Sequence, residues 1–246
     1  MNSLSSDQVA PLSVKAVTKS YGPAVVLAGI DLTLLHGEIF GLVGLNGAGK
    51  TTLIKIMLQL ARADSGNVTW YGQDATQVAA RRHIAYLPEK FQPSRYLKGQ
   101  EYLALTLSYY SQALDMEKAR HMASMLDLDP SVLSRKVGSY SKGMGQKLGL
   151  LGALLSQTPF LLLDEPMSGL DPRARIYLKQ ALQDAKQQGR TIFFSSHILS
   201  DLDEICDRIG VLHRGHLVDV DTPGAFKDKA GKPSLEQAFL QAIEAA

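Results

Sequence analysis

Residues 44–52 read Gly-Leu-Asn-Gly-Ala-Gly-Lys-Thr-Thr. Three glycines followed by a lysine and two hydroxyls suit the holding of a polyphosphate. Gly44, Gly47 and Gly49 place no Cβ in the loop, so its N–H groups can turn inward toward anionic oxygens. Leu45, Asn46 and Ala48 complete the cradle, and Lys50 supplies a cation for the β- and γ-phosphates. The Thr51 hydroxyl can hold Mg²⁺, with Thr52 beside it. The spacing fits G-x-x-x-x-G-K-[ST].

A second cluster of chemistry lies downstream. Phe160-Leu161-Leu162-Leu163 runs directly into Asp164-Glu165. An apolar strand that stops at an acid delivers that acid to the sheet's carboxyl edge, where α/β ligands bind. Asp164 is placed to hold Mg²⁺, directly or through water. Glu165 can polarise a water for in-line attack on a γ-phosphate. His197 follows the apolar run Thr191–Phe194 through two serines, so it reaches the same edge. A neutral imidazole there can hydrogen-bond a γ-phosphate oxygen. The histidines at 36, 83, 121, 213 and 216 have no such placement and read as structural.

The elements that position these residues are legible in the spacing. Ile39–Val43 is a short apolar run, read as a buried strand that feeds the glycine loop. Thr51–Leu60 carries its apolar residues on one helical face. Leu12–Val17 and Ile30–Leu35 alternate as half-buried strands do, and Asn67–Trp70 and Ile84–Leu87 are further short strands. From Gly99 to Arg135 the pattern is helical without interruption, with Tyr102–Thr106 opening one amphipathic helix and Met116–Leu128 giving the next. Alternation then resumes. Helices are expected at Lys142–Leu155, Arg173–Gln188 (closed by Gly189) and Leu199–Asp207, with strands at Phe160–Leu163, Thr191–Ser195 and Arg208–His213. Such alternation implies an α/β fold built on a mainly parallel sheet with helices on both faces.

Composition narrows the classes. The chain has 246 residues, 45% hydrophobic and 20% charged, ordinary proportions for a soluble globular protein with ample core. A net charge of +2 gives no bulk electrostatic case for nucleic acid or an anionic membrane. The single cysteine, Cys206, allows no internal disulfide and sits in an apolar helical stretch as a small core residue. No run reaches the roughly 18–20 apolar residues of a membrane span. The opening MNSLSSDQVAP lacks the basic and apolar regions of a signal peptide and reads as a loose tail.

Taken in order, these residues resemble the ATP-binding cassette family, and within it the ATPase subunit of an ABC transporter. The resemblance runs from about Leu12 to Val220. Tyr21 matches the aromatic residue that stacks on adenine. Residues 44–52 match the Walker A loop, 161–165 the Walker B strand, and Ser168-Gly169-Leu170-Asp171 the D-loop at the dimer seam, with Ser168 and Asp171 as its polar members. His197 matches the switch histidine. Ser141-Lys142-Gly143-Met144, at the start of a helix, resembles the family signature LSGGQ in a form associated with exporter-type cassettes. There a hydroxyl, backbone N–H groups and a helix dipole face outward together. Lys142 stands for the usual glycine and Met144 for the usual glutamine; Lys142 either adds positive charge near a partner's nucleotide or faces solvent. Glu89 stands where the family has glutamine and keeps an oxygen ligand for Mg²⁺.

The resemblance implies a P-loop NTPase of the ABC type, with a tail (1–11), a strand-rich and phosphate-loop part (12–98), a helical subdomain (99–140), the rest of the ATPase core (141–221) and a helical tail (222–246). It implies ATP and Mg²⁺ as ligands. A second ATPase subunit is expected as partner, most simply a homodimer whose Ser141 residues reach each other's ATP. A polytopic permease is expected as the other, with no role for nucleic acid and a peripheral location on the cytoplasmic face of the inner membrane. The loop Phe91–Tyr96 is where the family docks a permease helix; its two aromatic residues either serve that interface or pack locally. The ending Pro233–Leu240 resembles exporter cassettes of the drug, sodium or nitrous-oxide-reductase-maturation kind. The rival reading is a soluble ABC ATPase acting as a regulatory or assembly factor, disfavoured by one cassette and no heptad run.

Overall fold

The computed structural model describes residues 9–245. Two sheets are stacked. The smaller is antiparallel, in the order β2-β1-β4-β5, from β1 (Leu12–Tyr21), β2 (Ala24–Thr33), β4 (Ser65–Trp70) and β5 (Gln73–Asp74). The larger contains β3 (Ile39–Val43), β6 (Ile84–Leu87), β7 (Phe160–Asp164), β8 (Thr191–Ser196), β9 (Arg208–His213) and β10 (His216–Asp221), in the order β10-β9-β3-β8-β7-β6. All its pairings are parallel except the β9–β10 hairpin.

The strands of the large sheet are covered on both sides, and their residues split by parity. Val43, Leu87, Leu161, Leu163, Ile192, Phe194 and Val211 enter one core, while Phe40, Leu42, Ile84, Phe160, Leu162, Phe193 and Leu212 enter the other. That is the two-residue period of a pleated strand. The second core is closed by the apolar face of the small sheet (Leu12, Val14, Leu27, Ile30, Val68, Trp70) and by α1 (Lys50–Met57). Against the first core lie α2 (Gly99–Ser108), α3 (Met116–Met125), α4 (Lys142–Leu155), α5 (Pro172–Gln187), α6 (Leu199–Ile205), α7 (Pro223–Ala230) and α8 (Leu235–Glu244). Helices therefore cover one face almost alone. The other face carries one helix and a sheet, because the amphipathic strands 12–33 and 65–70 need a partner for their own apolar sides.

Several boundaries differ from the sequence reading. α1 stops at Met57 rather than Leu60, since Gln59 turns left-handed (φ 58°) and Leu60 N–H folds back to Lys55 O at 2.8 Å. In β1 the alternation of Leu12 and Val14 passes to Val17, not Ala16, because Ala16 (φ 47°) sits where the pairing with β2 shifts register. β2 begins at Ala24 and ends before Leu34–Leu35. β10 was not expected; Arg214 (φ 45°) and Gly215 (φ 80°) make the tight turn that pairs it with β9. Of the presumed tail, residues 1–8 lie outside the described residues. Val9 and Pro11 are tied down, their carbonyls accepting from His36 Nε2 at 2.8 Å and Tyr71 N at 3.1 Å.

Candidate active site

Parallel register puts the chemistry in one place. Val43 pairs with Ser196, Asp164 with Ser195 and Leu87 with Leu163, so β3, β8, β7 and β6 end nearly level. The glycine loop, His197, Glu165 and Glu89 follow these ends. They line one cleft of about 310 Å³ with Val26, Leu45, Asn46, Ala48, Thr51, Thr52 and Ser168.

The loop is built as an anion cradle. Gly49 is the N-cap of α1 at φ 110°, and no side chain caps the helix, so its first N–H groups are left for a ligand. Gly47 is also left-handed, at φ 83°. Gly44 differs: a Cβ there would meet Leu212 O at 2.4 Å, so its glycine permits close packing against β9. Lys50 Nζ donates to Gly44 O at 2.7 Å and lies 3.7 Å from Glu165 Oε1. Both partners are oxygens that phosphate oxygens can replace.

The acid pair is well supported. Glu165 adopts φ 50°, a turn that takes it off the line of β7. Its Oε2 lies 2.8 Å from His197 Nδ1. Asp164 is almost wholly buried, and burial pushes its carboxyl above the ordinary range, against the pull of the Ser195 and Thr51 hydroxyls. Its Oδ1 accepts from Ser195 Oγ at 2.6 Å. Its Oδ2 is buried without a hydrogen-bond partner among the described residues. A buried, unpaired carboxylate oxygen is costly unless a cation satisfies it. The oxygen donors Asp164, Thr51 and Glu89 therefore fit a hard divalent ion. Among the described residues no three or more His, Cys, Asp or Glu close on a metal by themselves, so phosphate oxygens would complete its shell.

Other expected residues lie outside the cleft lining. Tyr21 is exposed at the end of β1, with Lys19 Nζ 5.2 Å from its ring centre. The signature run opens α4. Ser141 Oγ caps its own helix, accepting from Met144 N at 3.2 Å, which leaves its hydroxyl hydrogen to donate elsewhere. Lys142 is exposed and its stem lies over Gly169. The Met144 side chain is half-buried against the first core. Asp171 caps α5 through Ala174 N at 2.9 Å.

α4 is tied to the segment 166–171 by two buried side chains. Gln146 Nε2 donates to Pro166 O at 3.3 Å, and Lys147 Nζ lies 3.6 Å from Asp171 Oδ2 while donating to Asp127 O at 2.8 Å. At the other end of α4 the buried Arg190 guanidinium donates to Thr158 O, Leu154 O and Ala153 O, at 2.7, 2.9 and 3.2 Å. Beside the start of α4 lies a broad groove of about 1110 Å³ between residues 91–96 and 136–142. Phe91 turns inward against Tyr102, ring centres 5.4 Å apart, whereas Tyr96 is 86% exposed.

Sequence reasoning missed Val26, Ser195, Gln146 and Lys147. Val26 and Ser195 are brought to the site by strand pairing alone. Gln146 and Lys147 close the signature-like run 140–147, but residue type alone does not show the contacts they make.

The fold and the cleft define a P-loop nucleotide-binding α/β protein. A family model described as ABC transporter matches residues 27–168. The chain belongs to the ABC transporter family and is an ATP-binding domain of it. An uncharacterized ABC transporter ATP-binding protein of Synechocystis sp. is 40% identical over 77% of this chain and 54% of its own length. The Nod factor export ATP-binding protein I of Burkholderia orbicola is 32% identical over 89% of this chain and 73% of its own. A solved structure of an ATP binding subunit of an ABC transporter superposes with a TM-score of 0.85 at 30% identity, covering 94% of this chain and 98% of that one. The chain spans 54% and 59% of the length of the first two curated relatives it matches.

Proposed function

We propose that this chain binds and hydrolyses Mg-ATP to energise a separate membrane permease, in the direction of export. The observation that carries the reading is the convergence of Lys50, Glu165 and His197 in the cleft that the glycine loop lines.

ATP phosphates meet the N–H groups of residues 46–51 and the Lys50 ammonium, which exchanges Gly44 O and Glu165 for phosphate oxygens. Glu165, released from Lys50, accepts a proton from the attacking water. His197 holds the Glu165 carboxylate until a γ-phosphate oxygen takes over its N–H, since a neutral imidazole has one hydrogen to donate and both partners only accept. A magnesium ion held by Asp164, Thr51 and Glu89 would neutralise charge on the β- and γ-phosphates. Tyr21 offers an exposed ring face to adenine.

A single copy holds the phosphates from one side. Ser141, Lys142 and Gly143, at the exposed start of α4, supply the other side to a second copy, with Ser168 and Asp171 along the seam. Two copies enclose two nucleotides, and splitting them lowers the affinity of the halves. The groove between residues 91–96 and 136–142 accepts a permease helix, with Tyr96 as its exposed aromatic contact. Among the described residues no helix is long and apolar enough to cross a membrane, which accords with a peripheral subunit held at the cytoplasmic face by its permease. Export is supported by the signature form, by the ending 233–240 and by the Nod factor export relative.

The test is phosphate release by the purified chain with Mg-ATP, together with recovery of a polytopic membrane protein bound to it in mild detergent. Turnover with such a partner supports the proposal. Turnover with no such partner favours a soluble ABC ATPase, and the absence of both turnover and partner overturns the reading.

A further inference from the structure

Ser195 is fully buried on β8, in register with Asp164 on the adjacent parallel strand. Its hydroxyl donates to Asp164 Oδ1 at 2.6 Å and accepts from the backbone N–H of Glu165 at 2.9 Å. A hydroxyl has one hydrogen and two lone pairs, so the two bonds run in opposite senses and each fixes the direction of the other.

Two consequences follow at the acids. With Oδ1 engaged, rotation of the Asp164 carboxyl is set, and Oδ2 is the oxygen left buried and unpartnered. The second bond anchors the peptide on which Glu165 takes φ 50°, a conformation disfavoured for any residue with a Cβ. That turn accompanies the placement of the Glu165 carboxylate 2.8 Å from His197 and 3.7 Å from Lys50.

We propose that Ser195 is a positioning residue for ATP hydrolysis. One buried hydroxyl orients Asp164 toward the cation and Glu165 toward the attacking water. The inference rests on the ATPase reading of this site. Ser195 acts through the two acids and touches no nucleotide, so removing it should slow turnover while leaving metal-free nucleotide binding intact.

The experiment compares wild type with Ser195→Ala, Ser195→Cys and Ser195→Thr. Cysteine keeps nearly the volume but is a weak hydrogen-bonding group; threonine keeps the hydroxyl. Phosphate release is measured against ATP and against Mg²⁺, with binding of a fluorescent ATP analogue in EDTA and the melting temperature as further readouts. Ser195→Ala and Ser195→Cys are expected to lose about 10- to 100-fold in kcat, the cost of one or two buried hydrogen bonds expressed as rate. Their KM for ATP should stay within about threefold and half-saturating Mg²⁺ should rise, while analogue binding in EDTA is unchanged. Ser195→Thr should recover most of kcat. The proposal is overturned if Ser195→Ala or Ser195→Cys keeps kcat within about twofold of wild type. It is also overturned if all three variants lose EDTA binding and melting temperature in step with kcat, since that marks a packing role. A wild type that releases no phosphate is seen first and separately; it sinks the ATPase reading and this inference with it.

Discussion

His197 Nδ1 and Glu165 Oε2 lie 2.8 Å apart, although they are 32 positions apart in sequence and follow different strands. The pair joins a group suited to activating water with one suited to sensing the γ-phosphate.

Groups that act as a unit lose activity non-additively. Glu165→Gln is expected to lower kcat by roughly 10²–10⁴-fold, the usual contribution of a positioned general base. The double variant Glu165→Gln, His197→Ala should fall no more than about threefold below the worse single variant. Steady-state phosphate release measures all three, and fully multiplicative losses would show that the two groups act independently.

Asp164 carries a stability cost. Burial holds its folded-state pKa above its ordinary 3.8, so the folded protein binds a proton more readily than the unfolded chain. Its favourable contribution is complete below the unfolded value and is lost as pH rises through the folded one. Asp164→Asn should therefore raise the melting temperature of the nucleotide-free protein at neutral pH by roughly 2–4 °C, equivalent to about 1 kcal/mol at this size. The gain over wild type should shrink as pH falls toward 3.8. The same variant should lose most of the stabilisation given by added Mg-ATP. Scanning calorimetry across pH, with and without Mg-ATP, checks both halves.

Glu89 lines the cleft, and its charge helps raise the Asp164 pKa. Glu89→Ala is expected to raise half-saturating Mg²⁺ and lower turnover by about tenfold, while Glu89→Gln should keep more than half of wild-type activity because it retains an oxygen donor. Unchanged turnover and transport in Glu89→Ala would remove this residue from the site.

Arg190 illustrates what fixes α4. Its buried guanidinium, pKa lowered to about 10 by burial, satisfies three carbonyls around the carboxyl end of that helix. Lysine cannot reproduce the fork. Arg190→Lys should cost about 2 kcal/mol and lower the melting temperature by roughly 4–8 °C. Nucleotide affinity at a temperature where the variant is folded should change little. A melting temperature within a degree of wild type would show that the Arg190 fork does not fix α4.

Much of the site was legible because it is local. The glycine loop, the acid pair closing β7 and His197 announce themselves by residue type and spacing, and the strands that carry them are apolar runs too short to be helices. Long-range pairing was not legible. Ser195 and Ser196 look alike in sequence, yet only Ser195 faces Asp164, because the register of β7 on β8 decides it. The small sheet's place over α1 was likewise hidden, since alternation in β1 and β2 says that one side is buried but not against what. β10 escaped because an Arg-Gly turn with two left-handed residues carries less signal than an Asn-Gly turn.

The central claim is that ATP is clasped between two copies, with Ser141 of each completing the other's site. Sedimentation of Glu165→Gln with Mg-ATP, compared with the same protein carrying Ser141→Arg, tests it most directly. The account predicts a dimer holding two ATP molecules for Glu165→Gln alone, and a monomer once Ser141 is replaced. A Glu165→Gln protein that binds Mg-ATP and remains monomeric in the presence of its permease, or a dimer indifferent to Ser141, would contradict it.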